Sequence, residues 1–164
     1  ASLTNWEVGS PANVGPIPPG IPLPSGTQCV AIDIDGNYDE AAIPIAAAFT
    51  DIFLRTPEID LTGFTEANLG FQQWTEIEQV PGVDLDYGSI RILDAADDSE
   101  LAVLADRTID GNTTTWKGYS KPLPAEAFTA STGKIKIEFR FEADDLFGFA
   151  GWYIDDVTVT APAP

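Results

Sequence analysis

Residues 135–141 alternate Ile135, Ile137, Phe139 and Phe141 against Lys136, Glu138 and Arg140, with Glu142 continuing the polar row. A strict period of two over that length is satisfied only by a strand with one face in a core and the other in water. A second run, Gly151-Trp152-Tyr153-Ile154-Asp155-Asp156-Val157-Thr158-Val159, follows an acidic, glycine-bearing turn. Its parity places Tyr153, Asp155, Val157 and Val159 on one side and Trp152, Ile154, Asp156 and Thr158 on the other, so the adjacent carboxylates leave the strand in opposite directions. One of them therefore has apolar neighbours, where an ionised carboxylate is costly unless a base, backbone donors or a metal neutralises it. With 8 Lys and Arg against 26 Asp and Glu, a hard cation is the simplest neutraliser. The plain alternative places the pair at the open start of the strand, before the chain enters the core.

The same period recurs along the chain, and no long helical pattern interrupts it. A short first strand lies around Trp6 and Val8, and a second spans 27–34. Segment 41–49 is rich in alanine, but Pro44 sits inside it and aromatic and β-branched residues follow, so it reads as mainly strand. Strands then follow at Leu69–Glu78, around Gly88–Leu93, at Leu101–Leu104, around Trp116–Leu123, at 134–142 and at 151–160, with one helical turn expected within Ala125–Thr132. Eight or nine short strands joined by polar, glycine-bearing turns describe an all-β, two-sheet antiparallel sandwich. The 164 residues suit one domain, taken as 1–160. Its loop 9–26 is punctuated by Pro11, Pro16, Pro18, Pro19, Pro22 and Pro24 and reads as an extended strap. Residues 161–164 read as the start of a Pro/Ala linker, and the opening at Ala1, with no signal-like region, reads as a mature segment or an excised domain.

The formal charge is -18, yet 44% of the residues are hydrophobic, which separates a folded acidic protein from a disordered acidic tail. Such a surface repels phosphates, so nucleic acid is not expected as a partner and anionic membranes and acidic polymers are poor ones, while divalent cations and neutral ligands are favoured. No stretch approaches the apolar length of a membrane span. The single Cys29 rules out an internal disulfide, and beside Val30 and Ile32 it reads as a buried thiol. The absence of histidine removes the usual general base and the commonest nitrogen ligand for zinc or copper.

Asp33-x-Asp35-x-Asn37-x-Asp39 places oxygen donors at alternate positions, but Gly36 and Pro44 break the pattern of a helix-flanked calcium loop. The set is either part of a site closed from elsewhere or a solvated turn. Glu78 with Asp86, and Asp155 with Asp156, offer further oxygens on separate segments, and calcium accepts six to eight of them from such scattered sources. Trp74, Trp116, Tyr119 and Trp152 are the aromatics available to stack a sugar or peptide, with core packing as the alternative for each. Nucleophilic catalysis lacks its histidine, no phosphate-loop motif is present, and a surplus of carboxylates argues for no particular glycosidase pair. The chain therefore reads as a non-enzyme. Asn112-Thr113-Thr114 is a formal glycosylation sequon in a turn.

Several of these stretches together resemble one family. They are Trp6-Glu7-Val8-Gly9 with Gly15-Pro16, Ala31 to Tyr38, Ala41 to Leu61, Leu69-Gly70-Phe71-Gln72-Gln73-Trp74 leading to Glu78, Asp86-Tyr87-Gly88-Ser89-Ile90, Trp116 and Tyr119, Ile137-Glu138-Phe139-Arg140-Phe141, and the closing Gly151-Trp152-Tyr153-Ile154-Asp155-Asp156-Val157. The chain looks like the MAM-like jelly-roll domain appended to secreted bacterial proteins, including the C-terminal region of immune inhibitor A type metallopeptidases. That resemblance implies a jelly-roll sandwich, an extracellular or cell-surface location, and an accessory role in adhesion, protein association or polysaccharide binding beside other domains of a longer parent. It also implies a structural calcium ion held by Glu78, Asp86, one of Asp155 and Asp156, and Asp33 or Asp35. Ile32-Asp33 replaces the Ser/Thr-Asn type pair common in the family, Cys29 stands where polar or aromatic residues are usual, and no zinc-peptidase half is present. Peptidase activity is therefore not carried over.

Overall fold

The computed structural model describes residues 5–12, 14–16, 20–38, 52–83, 85–143 and 147–162. The alanine-rich segment 41–49, read from sequence as mainly strand, lies outside them. Among these residues ten strands form two five-stranded sheets in which every pairing is antiparallel. The first sheet runs, in spatial order, β1 (Trp6–Gly9), β2 (Cys29–Ile32), β10 (Gly151–Thr160), β5 (Asn68–Glu76) and β8 (Lys117–Pro122). The second runs β3 (Phe53–Arg55), β9 (Lys134–Glu142), β6 (Tyr87–Asp94) and β7 (Glu100–Ile109), with the two-residue β4 (Ile59–Asp60) also pairing β9. One 3-10 turn, Ala125–Thr129, is the helical turn expected before β9. The molecule is an all-β jelly-roll sandwich.

The strands with the cleanest alternation, β9 and β10, hold the bounds their patterns imply. Strand β7 is longer than the expected Leu101–Leu104. Its alternation is broken by register shifts against β6 and by Arg107, whose φ of +50° turns the backbone out of the extended region.

Between the sheets, Ile135, Ile137, Phe139 and Phe141 of β9 meet Leu69 and Phe71 of β5 and Trp152 and Ile154 of β10. Trp152 is the hub. Its ring lies 5.6 Å from Trp6 and 5.8 Å from Phe139, and its Nε1–H donates to Gln73 Oε1 at 3.0 Å. Gly88 gives it room, since a Cβ there would come within 2.7 Å of the indole. On the opposite face of β9, Glu138 is 0% exposed although its parity points away from the core. Arg55 and Arg140 cover it with contacts of 2.8 Å each, and Arg55 and Lys136 both reach Asp98 at 2.7 Å.

Strand β10 is buried on both faces in its first half. Tyr153 shares its outer face with Cys29, Ala31 and Trp74, and Val14 and Leu23 of the proline-rich loop pack over this second apolar cluster. Gly15 lies against the Tyr153 ring, at a φ of +71° and with no space for a Cβ. The register of β10 against β5 shifts between Asp155 and Thr158, and Asp156 takes a φ of +52°. That bulge reverses the parity: Trp152 and Ile154 face the core before it, and Val159 faces the core after it, opposite Leu69.

Asp94 closes the far end of β6. Its carboxylate accepts N–H bonds from Ser131 at 2.7 Å and Ala96 at 2.9 Å, which hold its pKa below the usual carboxylate range. A depressed folded-state pKa contributes stability that is complete above the unfolded value, roughly 3.9, and is lost as pH falls through the folded value. The difference in melting temperature between the wild type and Asp94→Ala is therefore expected to be constant above about pH 5 and to shrink below about pH 4. A difference that stayed constant down to strong acid would remove this role for Asp94.

Candidate functional site

Pairing of β1 with β2 sets Glu7 opposite Ala31 and lets the chain leave β2 into a tight turn. Asp33 enters that turn at a φ of +51°, a left-handed conformation that Asp adopts more readily than most residues. Gly36 N–H then donates to Asp33 O at 3.1 Å, and Ile34 N–H donates to Glu7 Oε2 at 3.2 Å. The result brings one carboxylate oxygen from each of Glu7, Asp33 and Asp35 within 4.8 Å of one another. Glu7 was not among the candidates that the sequence suggested. It lies on the short first strand read around Trp6 and Val8, and the β1–β2 register places it beside the Asp33 turn.

Glu78 and Asp86 meet around a different residue. Tyr38, 1% exposed, donates its hydroxyl to Asp86 Oδ2, and its oxygen faces the backbone N–H of Glu78. Burial first, and then the Asp86 hydrogen bond, push the Tyr38 pKa far above its ordinary value. Tyr38 therefore stays a neutral donor that secures a carboxylate itself only 2% exposed.

Asp155 and Asp156 belong to neither group. Asp155 Oδ2 faces the Ser25 N–H at 3.4 Å and its Oδ1 accepts from Asp156 N–H at 2.8 Å, while Asp156 Oδ1 accepts from the Ser25 hydroxyl. The twin acids thus tie the proline-rich loop to the β10 bulge. Extending the register in which Tyr153 faces Ala31 sets Asp33 beside Gly151 and Asp155 beside Cys29. At about 3.3 Å per strand residue, roughly 13 Å separates those two rows. Of the six acids singled out from sequence, Asp33 and Asp35 thus converge with Glu7, Glu78 and Asp86 share Tyr38, and Asp155 and Asp156 share Ser25.

The aromatics are committed unevenly. Trp152 is wholly in the inner core and Trp74, 6% exposed, is packed edge-on to Tyr153 under the loop, so neither presents a ring face to solvent. Tyr119 stacks on Phe71 at 4.5 Å, with its hydroxyl pKa pushed up to about 12 by burial. Trp116 is half-buried against the outer cluster. Cys29 is buried as expected, and burial pushes its thiol up to about 12, which leaves it unreactive.

All eight basic residues fall between Arg55 and Arg140. The first 54 residues and those after 140 therefore carry none, and β1, β2 and β10, with the Asp33 turn, come from those stretches. A cluster of three carboxylates there has only hard oxygen donors and no covalently supplied counter-charge on its own segments. That donor set fits a calcium ion, whose remaining ligands come from carbonyls and water. Among the described residues no helix is long and apolar enough to cross a membrane.

No family model matches the chain. It is 26% identical over 157 residues to bacillopeptidase F of Bacillus subtilis (strain 168), covering 95% of this chain but only 9% of that protein. Among solved structures, TmCBM61 in complex with β-1,4-galactotriose superposes with a TM-score of 0.50 at 18% identity, over 98% of this chain and 91% of that one. A Stig cyclase, FisC from Fischerella sp. TAU, superposes at 0.48 with 13% identity, over 99% of this chain and 77% of that one. The first of these likenesses supports the sandwich architecture, and neither extends beyond the fold.

Proposed function

We propose that the chain is a non-catalytic accessory module of a longer extracellular or cell-surface protein, stabilised by calcium and serving adhesion or association with neighbouring domains. The observation that carries this reading is the convergence of Glu7, Asp33 and Asp35 within 4.8 Å. These residues would hold the ion, which supplies charge neutralisation and a cross-link between the first strand and the turn after the second. Glu7 and the left-handed Asp33 set the cluster in place, and Ile34, 8% exposed, anchors the turn in the outer cluster. The MAM-like resemblance and the match to a small part of a much longer bacterial peptidase support a module that works beside other domains. Thermal unfolding in calcium and in chelator tests the metal, and identical curves would end that part of the reading.

A second reading is a module that binds a neutral polysaccharide. It is supported by the sandwich shared with TmCBM61, whose structure holds β-1,4-galactotriose, and by a charge that tolerates neutral ligands. Retention on insoluble neutral polysaccharide, measured against a bovine albumin control, separates this reading from pure protein association.

A further inference from the structure

A cavity of about 450 Å³ opens beside the end of β5, lined by Ile77, Glu78, Gln79, Gly111, Asn112 and Phe149. Its volume lies within the roughly 300–1,000 Å³ typical of small-molecule sites. We infer that this cavity is a subsite for one ring of a neutral sugar, with Phe149 as the apolar wall and Glu78 and Asn112 as hydroxyl partners. The inference rests on the polysaccharide reading and moves it away from the tryptophans.

The walls are fixed by their own hydrogen bonds. Ile77 N–H donates to Gly111 O at 3.2 Å, Thr113 N–H to Thr75 O at 2.8 Å, and Gln79 Nε2 to Asp110 Oδ1 at 3.1 Å. On the other side Tyr38 N–H holds Phe149 O at 3.0 Å, and Asn37 Nδ2 holds Gly148 O at 3.1 Å. Gly111 sits at a φ of +69°, where an added Cβ would come within 3.0 Å of Gln79, so the turn and the Gln79 side chain pack without slack.

The lining selects by chemistry. A carboxylate accepts hydrogen bonds, an amide both donates and accepts, and an aromatic surface takes an apolar C–H face; a pyranose offers hydroxyls of both kinds and such a face. Anions are repelled by the overall charge of -18. An amine would engage the acidic side of the lining and leave Asn112 and Phe149 unused. The exposed Asn112 makes no side-chain hydrogen bond among the described residues and keeps its amide available. Phe147, two positions before Phe149, is 60% exposed, the only aromatic so open among the described residues. It leaves a second ring in solvent on the segment that carries the wall.

The test is an amide-resolved NMR titration of the intact chain with cellotriose, mannotriose and β-1,4-galactotriose to about 10 mM, the range in which one weak subsite saturates. At least one sugar is expected to shift the signals of Glu78, Gln79, Gly111, Asn112 and Phe147–Phe149. Asn112→Ala, a surface change at the lining, is expected to weaken that binding by about threefold to tenfold without moving the melting temperature, whereas Phe147→Ala, outside the lining, is expected to leave it unchanged. Shifts that gather instead around Trp116 and Tyr119, unchanged by Asn112→Ala, would overturn the subsite and keep the polysaccharide reading. No shift with any of the three sugars would overturn both, and would leave the calcium-stabilised module standing on its own melting test.

Discussion

Calcium at about one hundred times its dissociation constant is expected to raise the melting temperature of the metal-stripped protein by about 5–10 °C. A ligand that binds only the native state at that excess adds about 2.7 kcal/mol, and a domain of this size moves by roughly 2–4 °C per kcal/mol. The response should be carried by the first-strand and turn acids. Glu7→Gln keeps an oxygen to accept the Ile34 N–H and removes one charge from the cluster. Without calcium this variant should melt at or above the wild type, because three carboxylates in close proximity repel one another. With calcium it should lose most of the increment, and Asp33→Asn should do the same. Asp155→Asn and Asp156→Asn, at the Ser25 clamp, should respond to calcium like the wild type. Differential scanning calorimetry of this set decides the matter. Loss of the response in Asp155→Asn with its retention in Glu7→Gln would place the ion at the wrong end of β10.

Trp152→Ala is expected to destabilise the fold by about 3–5 kcal/mol, the usual cost of emptying a large aromatic site in a packed core. The loss has identifiable parts. The indole is fully buried between Trp6, Phe71 and Phe139, and it carries the one hydrogen bond that satisfies its ring nitrogen, to Gln73. Gly88 on β6 is shaped around it, so the opposite sheet cannot easily move in to fill the gap. Urea unfolding followed by circular dichroism should show a lower midpoint with a nearly unchanged slope. A change below about 1 kcal/mol would mean that the residue is not the hub between the sheets.

The strands with one dry face and one wet face were readable residue by residue. Ile135, Ile137, Phe139 and Phe141 announce both the strand and its inner face, because alternation is a local consequence of backbone geometry. The outer face of the same strand was less legible. Glu138 looks like any solvent-facing acid, and it is covered by Arg140 of its own strand together with Arg55, which arrives from β3, 83 positions away. The twin acids of β10 show the limit most plainly. Parity sent the two side chains to opposite faces, but the bulge at Asp156 reset the parity in the middle of the strand, and the pair was taken up by Ser25, 130 and 131 positions earlier.

The candidate site divides in the same way. Asp33 and Asp35 were visible as oxygen donors at alternate positions, whereas Glu7 joins them only through the register of β1 on β2. Glu78 and Asp86 were visible as acids near a strand end, whereas their common partner Tyr38 comes from the turn after β2. Charge, composition and alternation are summed over neighbours in the chain, and for that reason the sequence alone determined the all-β class and the main strands. Which acids share a centre and which aromatics keep a free face depend on contacts between strands far apart in sequence. Those were decided by register and by the bulge, and a shift of one residue in either would send each of these side chains to the opposite face.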